Sequence, residues 1–548
     1  MSQQRKASDN YIKQGSILAG ASLLVRIIGM LYRFPMSNII GEEGNGLYSV
    51  AFEIYDVMLI ISSYSLPLAI SKMISEKRAK KEHKNILKIF RCSLIFALVS
   101  GGIAACVLFF GASFFERTIA GGKYTGLNLP LKVLAPTVFV VAVMGVMRGL
   151  FQGKGTMIPT AISQVIEQIV NAVVSIYAAY SLMSAHNLSL NLAGYGAAGG
   201  TMGTLFGAVS GCIILILVFL LYRPVLLRSA KRDRRSTSDS SGYIYKLIIL
   251  TAVPIILSQT VYQISGIIDY SVLGAIQAKK GWDDMAVKTA TGLYSTKYRL
   301  LLSVPIAIAT SMSSSILPSV AASFSKNDGE GLNKKISTGI KFNMMIAFPC
   351  FVGLSIFGTQ ILMMLYPSQD YITGGKLLLA GSFAVVLYAI SNITGAVLQG
   401  INKMRLPVIH SAIALAVHIA IVVVLLVFTN AGVFALVAGN VIFPLVVAAL
   451  NMYSICSYTS YRQEIKRTFG VPFAASVIMG AVSFVIYHVI YKIWPHNTIV
   501  MLIAISIAVI VYFVMYLLLR GADNEEIYEF PMGVRIVKLG KKLKLLRE

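Results

Sequence analysis

The sequence predicts an all-α integral membrane protein with fourteen transmembrane helices, and two observations support this. Hydrophobic residues make up 56% of the 548 residues and charged residues 13%. The resulting mean hydropathy of +0.74 is typical of polytopic membrane proteins and excludes a soluble fold. The apolar residues also fall into fourteen stretches of spanning length, which must be helical because a strand edge facing hydrocarbon leaves backbone groups unsatisfied.

The predicted spans fall into two sets of seven, and their loops indicate the orientation. The first set covers residues 15–36, 47–74, 88–112, 130–151, 158–183, 192–222 and 245–276. The second covers 290–317, 338–365, 377–398, 406–428, 431–456, 471–492 and 498–519. Most of the 48 Lys and Arg lie in alternate loops, which by the positive-inside rule places both termini in the cytoplasm. The net charge of +25 therefore reflects membrane orientation and not a nucleic-acid partner.

A duplication relates the two halves of the chain. The tetrapeptide starting at Gly46 recurs at Gly292, and the pair Gln152-Gly153 recurs as Gln399-Gly400 almost the same number of residues later. Matching spans run the same way through the membrane, so we expect two pseudo-symmetric six-helix lobes plus two C-terminal helices. The expected domains are the N-lobe (1–228), a cytoplasmic linker (229–242), the C-lobe (243–460), the last two spans (461–520) and a basic cytoplasmic tail (521–548).

Two arginines lie near the middle of predicted spans. Arg26 has roughly 15 Å of helix on either side in span one, and Arg299 lies at a similar depth in span eight. At helical spacing, the face that carries Arg26 also carries Gly15, Ala19, Ser22, Gly29 and Arg33. We interpret this face as one wall of a cationic cavity. The alternative is a structural arginine satisfied by a carboxylate or by helix carbonyls.

Other charged residues inside the spans are further candidates. Arg33 and Lys297 add to the basic set, while Glu53, Asp56, Glu167 and Asp269 are the acidic residues expected to support the cavity. Glu53 and Asp56 share a helix face at the depth of Arg33, which predicts that they neutralise it. Glu167 belongs to a polar stripe on span five and needs a hydrogen-bond donor. Arg148 and Lys154, at the inner end of span four, are expected to be anchors at the membrane interface.

Several kinds of site are missing from the sequence. The five cysteines have no spacing typical of metal ligands or of a disulfide framework, so neither is expected. No Walker A loop, nucleophile elbow or HExxH motif occurs, and the loops are too short for a catalytic domain. We therefore expect a protein that is not an enzyme and that needs no cofactor, with the coupling ion unassigned.

Four stretches carry a family resemblance. They are LLVRIIGMLYRFPMSNIIG around Arg26, SLPLAISKMISE from Ser65, MRGLFQGKGTMIPTAISQVIEQ from Met147 and YRLLLSVPIAIATSMSSSILPSVAASF from Tyr298. Over nearly its whole length the sequence resembles the MurJ and stage V sporulation protein B branch of the multidrug/oligosaccharidyl-lipid/polysaccharide (MOP) exporter superfamily. The resemblance implies a MATE-like fold in which arginines of spans one, two and eight hold a lipid pyrophosphate. Arg26 and Arg299 match two of them, whereas the span-two arginine has no equivalent within Val57–Ile61.

The resemblance also implies a function. The expected activity is a flippase that moves undecaprenyl-pyrophosphate-linked peptidoglycan precursor (lipid II) to the outer leaflet of the bacterial cell membrane by alternating access, with a lipid-tail groove at the last two spans. Expected partners are this glycan lipid, membrane lipids and, as candidates, cell-wall synthesis enzymes. The alternatives are a flippase for another polyprenyl-linked polysaccharide unit, a MATE-type drug or cation antiporter, and a scaffold for cell-wall enzymes.

Overall fold

The computed structural model describes residue 18 and residues 20–233 and 239–521. Within this part of the chain 88% of the structure is helix and there is no strand, so the predicted all-α class is confirmed. Gly15, Ala19, the linker residues 234–238 and almost all of the predicted basic tail lie outside the described residues.

The chain divides into two compact units, Met1–Gly292 and Leu293–Glu548. The described helices of the first unit are α1 (Gly20–Leu31), α2 (Arg33–Leu59), a π-helical turn (Ile60–Tyr64), α3 (Leu66–Ala79), α4 (His83–Thr118), a 3-10 turn (Ile119–Gly122), α5 (Asn128–Gly153), α6 (Ile158–Ala185), α7 (Leu192–Arg232), α8 (Ser241–Lys279) and α9 (Asp284–Gly292).

The second unit begins with a π-helical turn. Its elements are that turn (Leu293–Arg299), α10 (Leu300–Ser325), α11 (Gly329–Leu365), α12 (Tyr371–Gly381), α13 (Ala384–Gly400), α14 (Arg405–Phe428), α15 (Val433–Tyr458), another π-helical turn (Lys466–Gly470), α16 (Val471–Ile493) and α17 (Asn497–Leu518).

The helices confirm a multi-pass membrane protein. Within the described residues, eleven helical segments are long and apolar enough to cross a membrane, and the pair α12–α13, bent by 47°, would make twelve. The two remaining predicted spans coincide with the short helix α1 and with α8. The count of fourteen therefore stays a prediction.

Glycine and proline set the shapes of the first two spans. Helix α2 contains a break at Gly41, whose φ of 68° favours glycine, and this break separates the end of span one from the start of span two. Span two then widens into the turn Ile60–Tyr64 just before Pro67, which lacks the N–H that would continue the helical ladder. The Ser100 hydroxyl donates to the carbonyl of Ser62 at 3.1 Å, so a side chain satisfies a backbone acceptor within the turn.

Matching contacts within the two units support the duplication. Gly153 of α5 lies against α3, where an added Cβ would be 2.8 Å from the Cβ of Ile74. Gly400 of α13 lies against α10, where an added Cβ would be 3.1 Å from the Cβ of Val320. Ile74 and Val320 occupy equivalent positions in the repeat. Each unit therefore contains the same close crossing between the second and fourth helices of its repeat.

The division between the units falls at Gly292, and not within the predicted linker 229–242. Helix α8 belongs to the first unit because it packs there: Gln263 donates to Asp56 at 3.1 Å, and the Tyr124 hydroxyl donates to the carbonyl of Tyr270 at 3.2 Å. Helix α9 is held to α2 by an ion pair between Lys288 and Glu43 at 2.9 Å.

The predicted linker is attached to α3 and α4 on both sides of residues 234–238. Helix α7 continues to Arg232 and α8 begins at Ser241, so both ends of the predicted linker are helical. The carboxylate of Asp233 accepts from the backbone N–H of Lys84 at 3.1 Å, and Lys77 forms an ion pair with Asp239 at 2.7 Å. A backbone N–H at the start of α4 and a lysine side chain at the end of α3 thus bind the two flanks of the segment. The proposed lobe boundaries at 1–228 and 243–460 stay a prediction.

The last two helices join the second unit mainly at α11 in the described part of the chain. Helices α16 and α17 pack against each other and against α11. The segment that leads into α16 is fastened to α11, because buried Lys341 forms an ion pair with Glu464 at 2.9 Å. Tyr461 of the same segment is buried, and its hydroxyl donates to Gln463 at 2.8 Å.

Candidate functional site

Arg26 lies exposed on α1. Among the described residues it makes no hydrogen bond or ion pair, so the alternative of a structural pair with a carboxylate is not observed. One helical turn later, Gly29 faces α6, where an added Cβ would be 3.0 Å from the amide nitrogen of Gln168. The predicted polar face of span one thus approaches α6 at Gly29, and the Arg26 charge is left available to a ligand.

Arg33 is held by aromatic rings. Its guanidinium lies over the ring of Tyr48 at 5.3 Å and over that of Phe52 at 5.9 Å, both measured to the ring centroid. These two residues share a face of α2 beyond the break at Gly41. In the described part of the chain Arg33 forms no ion pair with Glu53 or Asp56, so the predicted neutralisation is wrong. Cation–π contact provides its favourable interaction instead.

Glu53 and Asp56 face α8. The side-chain amide of Gln263 donates to Asp56 at 3.1 Å and lies 3.5 Å from Glu53. Buried Glu53 also abuts Gly266, where an added Cβ would be 2.3 Å from a carboxylate oxygen. Asp269, one turn further along α8, is also buried. The side-chain amide of Gln263 therefore supplies a hydrogen bond to Glu53 and to Asp56, as buried carboxylates require.

Glu167 has the donor that its position requires. Arg148 of α5 forms an ion pair with Glu167 at 2.6 Å and donates from two nitrogens to the Ser163 hydroxyl at 3.2 Å. Only 15% of the Arg148 side chain is exposed. The prediction that Arg148 anchors at the interface is therefore wrong, because Ser163 and Glu167, four residues apart on α6, present a matching face. The four-residue spacing of Ser163 and Glu167 was the sequence feature that could have indicated a partner for Arg148 on α6.

In the second unit, Lys297 is a fully buried candidate. Its side chain is 0% exposed, and its ammonium donates to the backbone carbonyl of Asp370 at 3.0 Å. Asp370 lies in the α11–α12 loop and caps α12 by accepting from the N–H of Thr373 at 2.9 Å. Partial burial opposes ionisation of Asp370, but the hydrogen bonds from Thr373 and the nearby charge of Lys297 outweigh it and lower its pKa.

Arg299 ends the π-helical turn and is half-buried, with partners around it. The residue before it, Tyr298, is completely buried. Its hydroxyl lies 3.0 Å from the carbonyl of Gly381 and 3.1 Å from the side-chain oxygen of Asn440. Sequence reasoning missed Tyr298 because an aromatic residue in an apolar span usually indicates packing alone.

An apolar cavity of about 340 Å³ lies between α11, α16 and α17. Its wall includes Pro349, Cys350 and Phe357 of α11, Met479 of α16, and Ala504 and Phe513 of α17. The cavity lies where the sequence resemblance predicted a groove for a lipid tail. Its volume is within the range of roughly 300–1,000 Å³ that is usual for ligand pockets.

Two family models match this chain. A family model described as polysaccharide biosynthesis protein matches residues 11–324. The chain belongs to this family. A second model, MatE, matches residues 254–424. Together they confirm the predicted membership of the MOP exporter superfamily.

Individual relatives of this polysaccharide biosynthesis family member support the same superfamily assignment. It is 26% identical to the lipid II flippase MurJ of Bacillus subtilis (strain 168) over 86% of this chain and 88% of the relative. It is 24% identical to stage V sporulation protein B of the same organism over 97% and 99% of the two chains. A solved structure of lipid II flippase MurJ in an inward closed conformation shares the fold, with a TM-score of 0.66 at 16% identity, covering 91% of this chain and 97% of that one.

The candidate residues of this family member fall in separate units. Arg26, Arg33 and the four acids lie in the first, whereas Lys297 and Arg299 lie in the second. That the two sets line one cavity stays a prediction.

Proposed function

We propose that this protein is a flippase that carries a polyprenyl-pyrophosphate-linked glycan, lipid II, from the inner to the outer leaflet of the bacterial cell membrane. The observation that carries the proposal is Arg26, a mid-span guanidinium with no ion pair among the described residues. A buried or intramembrane arginine requires an anion, and a substrate supplies one where the protein does not. Similarity to the lipid II flippase MurJ along most of both chains supports the same activity.

The chemistry of arginine suits a pyrophosphate. The planar guanidinium meets two phosphate oxygens at once, and such charge-assisted pairs are stronger where water is scarce. In the proposed mechanism Arg26 and Arg299 hold the pyrophosphate while the protein alternates between inward and outward openings. Moving negative charge outward across an inside-negative membrane gains roughly 2.3 kcal/mol per charge per 100 mV. The membrane potential therefore supplies a driving force without ATP.

The apolar cavity supports a lipid-linked cargo. A polyprenyl chain inserted between α11, α16 and α17 would remain in apolar surroundings while the headgroup occupies a polar site. A hydrated cation finds no charge partner or hydrogen-bond acceptor in the apolar lining of this cavity. The last two helices are thus assigned to the tail of the substrate.

Cys350 provides a direct test of tail binding because it lines the cavity. An apolar maleimide should alkylate Cys350 in the purified protein. A polyprenyl phosphate at about ten times its Kd should slow that reaction about tenfold, since one-tenth of the sites remain free. Mass spectrometry of the same sample compares Cys350 with exposed Cys106 and Cys456, which should react equally with or without lipid. Unchanged labelling of Cys350 would remove the cavity from the proposal.

A MATE-type antiporter is the second candidate. It is favoured by the MatE match and by the buried acids Glu53 and Asp269, since acidic residues suit a cation or a coupling proton. A flippase for another polyprenyl-linked polysaccharide would use the same arginines with a different sugar.

Complementation separates these functions. Expressed in a bacterium depleted of its lipid II flippase, this protein should restore growth, cell shape and the appearance of lipid II in the outer leaflet. Rescue of polysaccharide export alone would instead identify another glycan, and drug tolerance without rescue would identify an antiporter. Membrane-inserted, folded protein that gives no rescue would refute lipid II as the substrate.

A further inference from the structure

The π-helical turn Leu293–Arg299 places Arg299 directly after two completely buried residues. Lys297 and Tyr298 each have 0% exposure. Both contact residues of the second unit that lie far away in the sequence, in the region 370–381 and at Asn440. A π-helical turn is rare, and such turns often occur at functional sites. Lys297 and Tyr298 are therefore candidates for the side chains that hold this turn in place.

Lys297 is fixed at its far end. Its ammonium donates to the carbonyl of Asp370, and the lowered pKa of Asp370 reflects in part the nearby positive charge of Lys297. Gly374 leaves room for the aliphatic part, since an added Cβ there would be 3.0 Å from two carbons of Lys297. A buried ammonium is costly to displace from such acceptors. Lys297 therefore acts as a fixed point for the turn.

Tyr298 is fixed next to it. Its hydroxyl donates to the carbonyl of Gly381 at 3.0 Å, with the Asn440 oxygen at 3.1 Å as the alternative acceptor. Asn440 is itself oriented, because its side-chain nitrogen donates to the hydroxyl of Tyr388 at 3.2 Å. An added Cβ on Gly381 would be 2.5 Å from the Tyr298 hydroxyl, so the ring occupies space that only glycine leaves open.

We propose that Lys297 and Tyr298 are positioning residues that hold the π-helical turn and so fix the direction of the Arg299 side chain toward the substrate pyrophosphate. This inference rests on the proposed function. Two adjacent anchors fix the backbone immediately before Arg299. An arginine oriented before the ligand arrives loses less rotamer entropy on binding, which raises affinity. Tyr298 thereby acts through Arg299 without touching the substrate.

A double-mutant cycle tests this role. The full-length protein in lipid nanodiscs is titrated with farnesyl pyrophosphate as wild type, Tyr298→Phe, Arg299→Ala and the double variant. Tyr298→Phe should weaken binding about fivefold when Arg299 is present and should have no further effect in the Arg299→Ala background. A purely structural tyrosine would instead give the same loss in both backgrounds, which would overturn the inference.

Two further variants complete the test. Lys297→Met, assayed after its folded fraction is checked by size exclusion, should show the same dependence on Arg299. Tyr124→Phe is the matched control, because it also removes a buried hydroxyl hydrogen bond, here to the carbonyl of Tyr270 at 3.2 Å, and it should leave binding unchanged. If Arg299→Ala binds normally, the proposed substrate site itself is wrong. If Arg299→Ala weakens binding but Tyr298→Phe does not, only the positioning role is wrong.

Discussion

Arg26→Ala and Arg299→Ala should each abolish lipid export while leaving the protein inserted in the membrane. A charge-assisted, partly desolvated contact is worth roughly 1.5–3 kcal/mol, which is about tenfold or more in binding. Arg26→Lys should restore export only in part, because lysine keeps the charge but loses the planar fork that meets two oxygens. The measurement is lipid II appearing in the outer leaflet, normalised to folded protein.

The control for this prediction is Arg117→Ala, which removes an exposed arginine in the last turn of α4 and should export normally. A structural role for Arg26 gives a different outcome: the alanine variant would lower the amount of folded protein, and export per folded molecule would be unchanged. Normal export by both alanine variants would rule out the cationic-cavity mechanism.

Gly203→Leu should strongly destabilise the first unit. Glycines occur at every fourth position on α7, at 199, 203, 207 and 211, and this row faces α6. At Gly203 an added Cβ would lie 2.0 Å from the Ser175 hydroxyl and 2.4 Å from the carbonyl of Asn171. Small residues allow two membrane helices to approach closely. A leucine side chain would force α6 and α7 apart, and overpacking alone typically costs about 1–3 kcal/mol.

Gly102→Leu provides the matched control because Gly102 of α4 has nothing within 4 Å of an added Cβ. Fluorescence-detected size exclusion and thermal melting of both variants in the same detergent check the prediction. We expect little folded protein for Gly203→Leu and a wild-type profile for Gly102→Leu. Equal stability of the two variants would show that the α6–α7 crossing is not closely packed.

Features that depend on position along one helix could be predicted from the sequence. Hydropathy located the membrane-spanning helices. The polar stripe on span five indicated that Glu167 needs a donor, and Arg148 supplies it. In each case the signal is local, since it depends on residues within a few turns of one another.

Features that depend on which helices meet could not be predicted. Hydropathy places Lys297 inside a span but does not show that the loop at Asp370 receives its ammonium. Likewise, the Arg33 guanidinium contacts the rings of Tyr48 and Phe52 and not the acids of the same helix. The break at Gly41 determines which face of the later part of α2 lies next to Arg33. Attachment of α8 to the first unit depends on Gln263 and Tyr270, whose partners lie far away in the chain.

Helix α11 contacts two groups of helices, and this has a kinetic consequence. It packs against α10, α12 and α13 on one side and against α16 and α17 on the other, where Pro349, Cys350 and Phe357 form part of the cavity wall. A tilt of α11 during a transport cycle must therefore reshape the cavity. A chain that fills the cavity resists that tilt, and a shorter chain does not. Turnover should thus depend on the number of isoprene units in the cargo, independently of how tightly its headgroup binds.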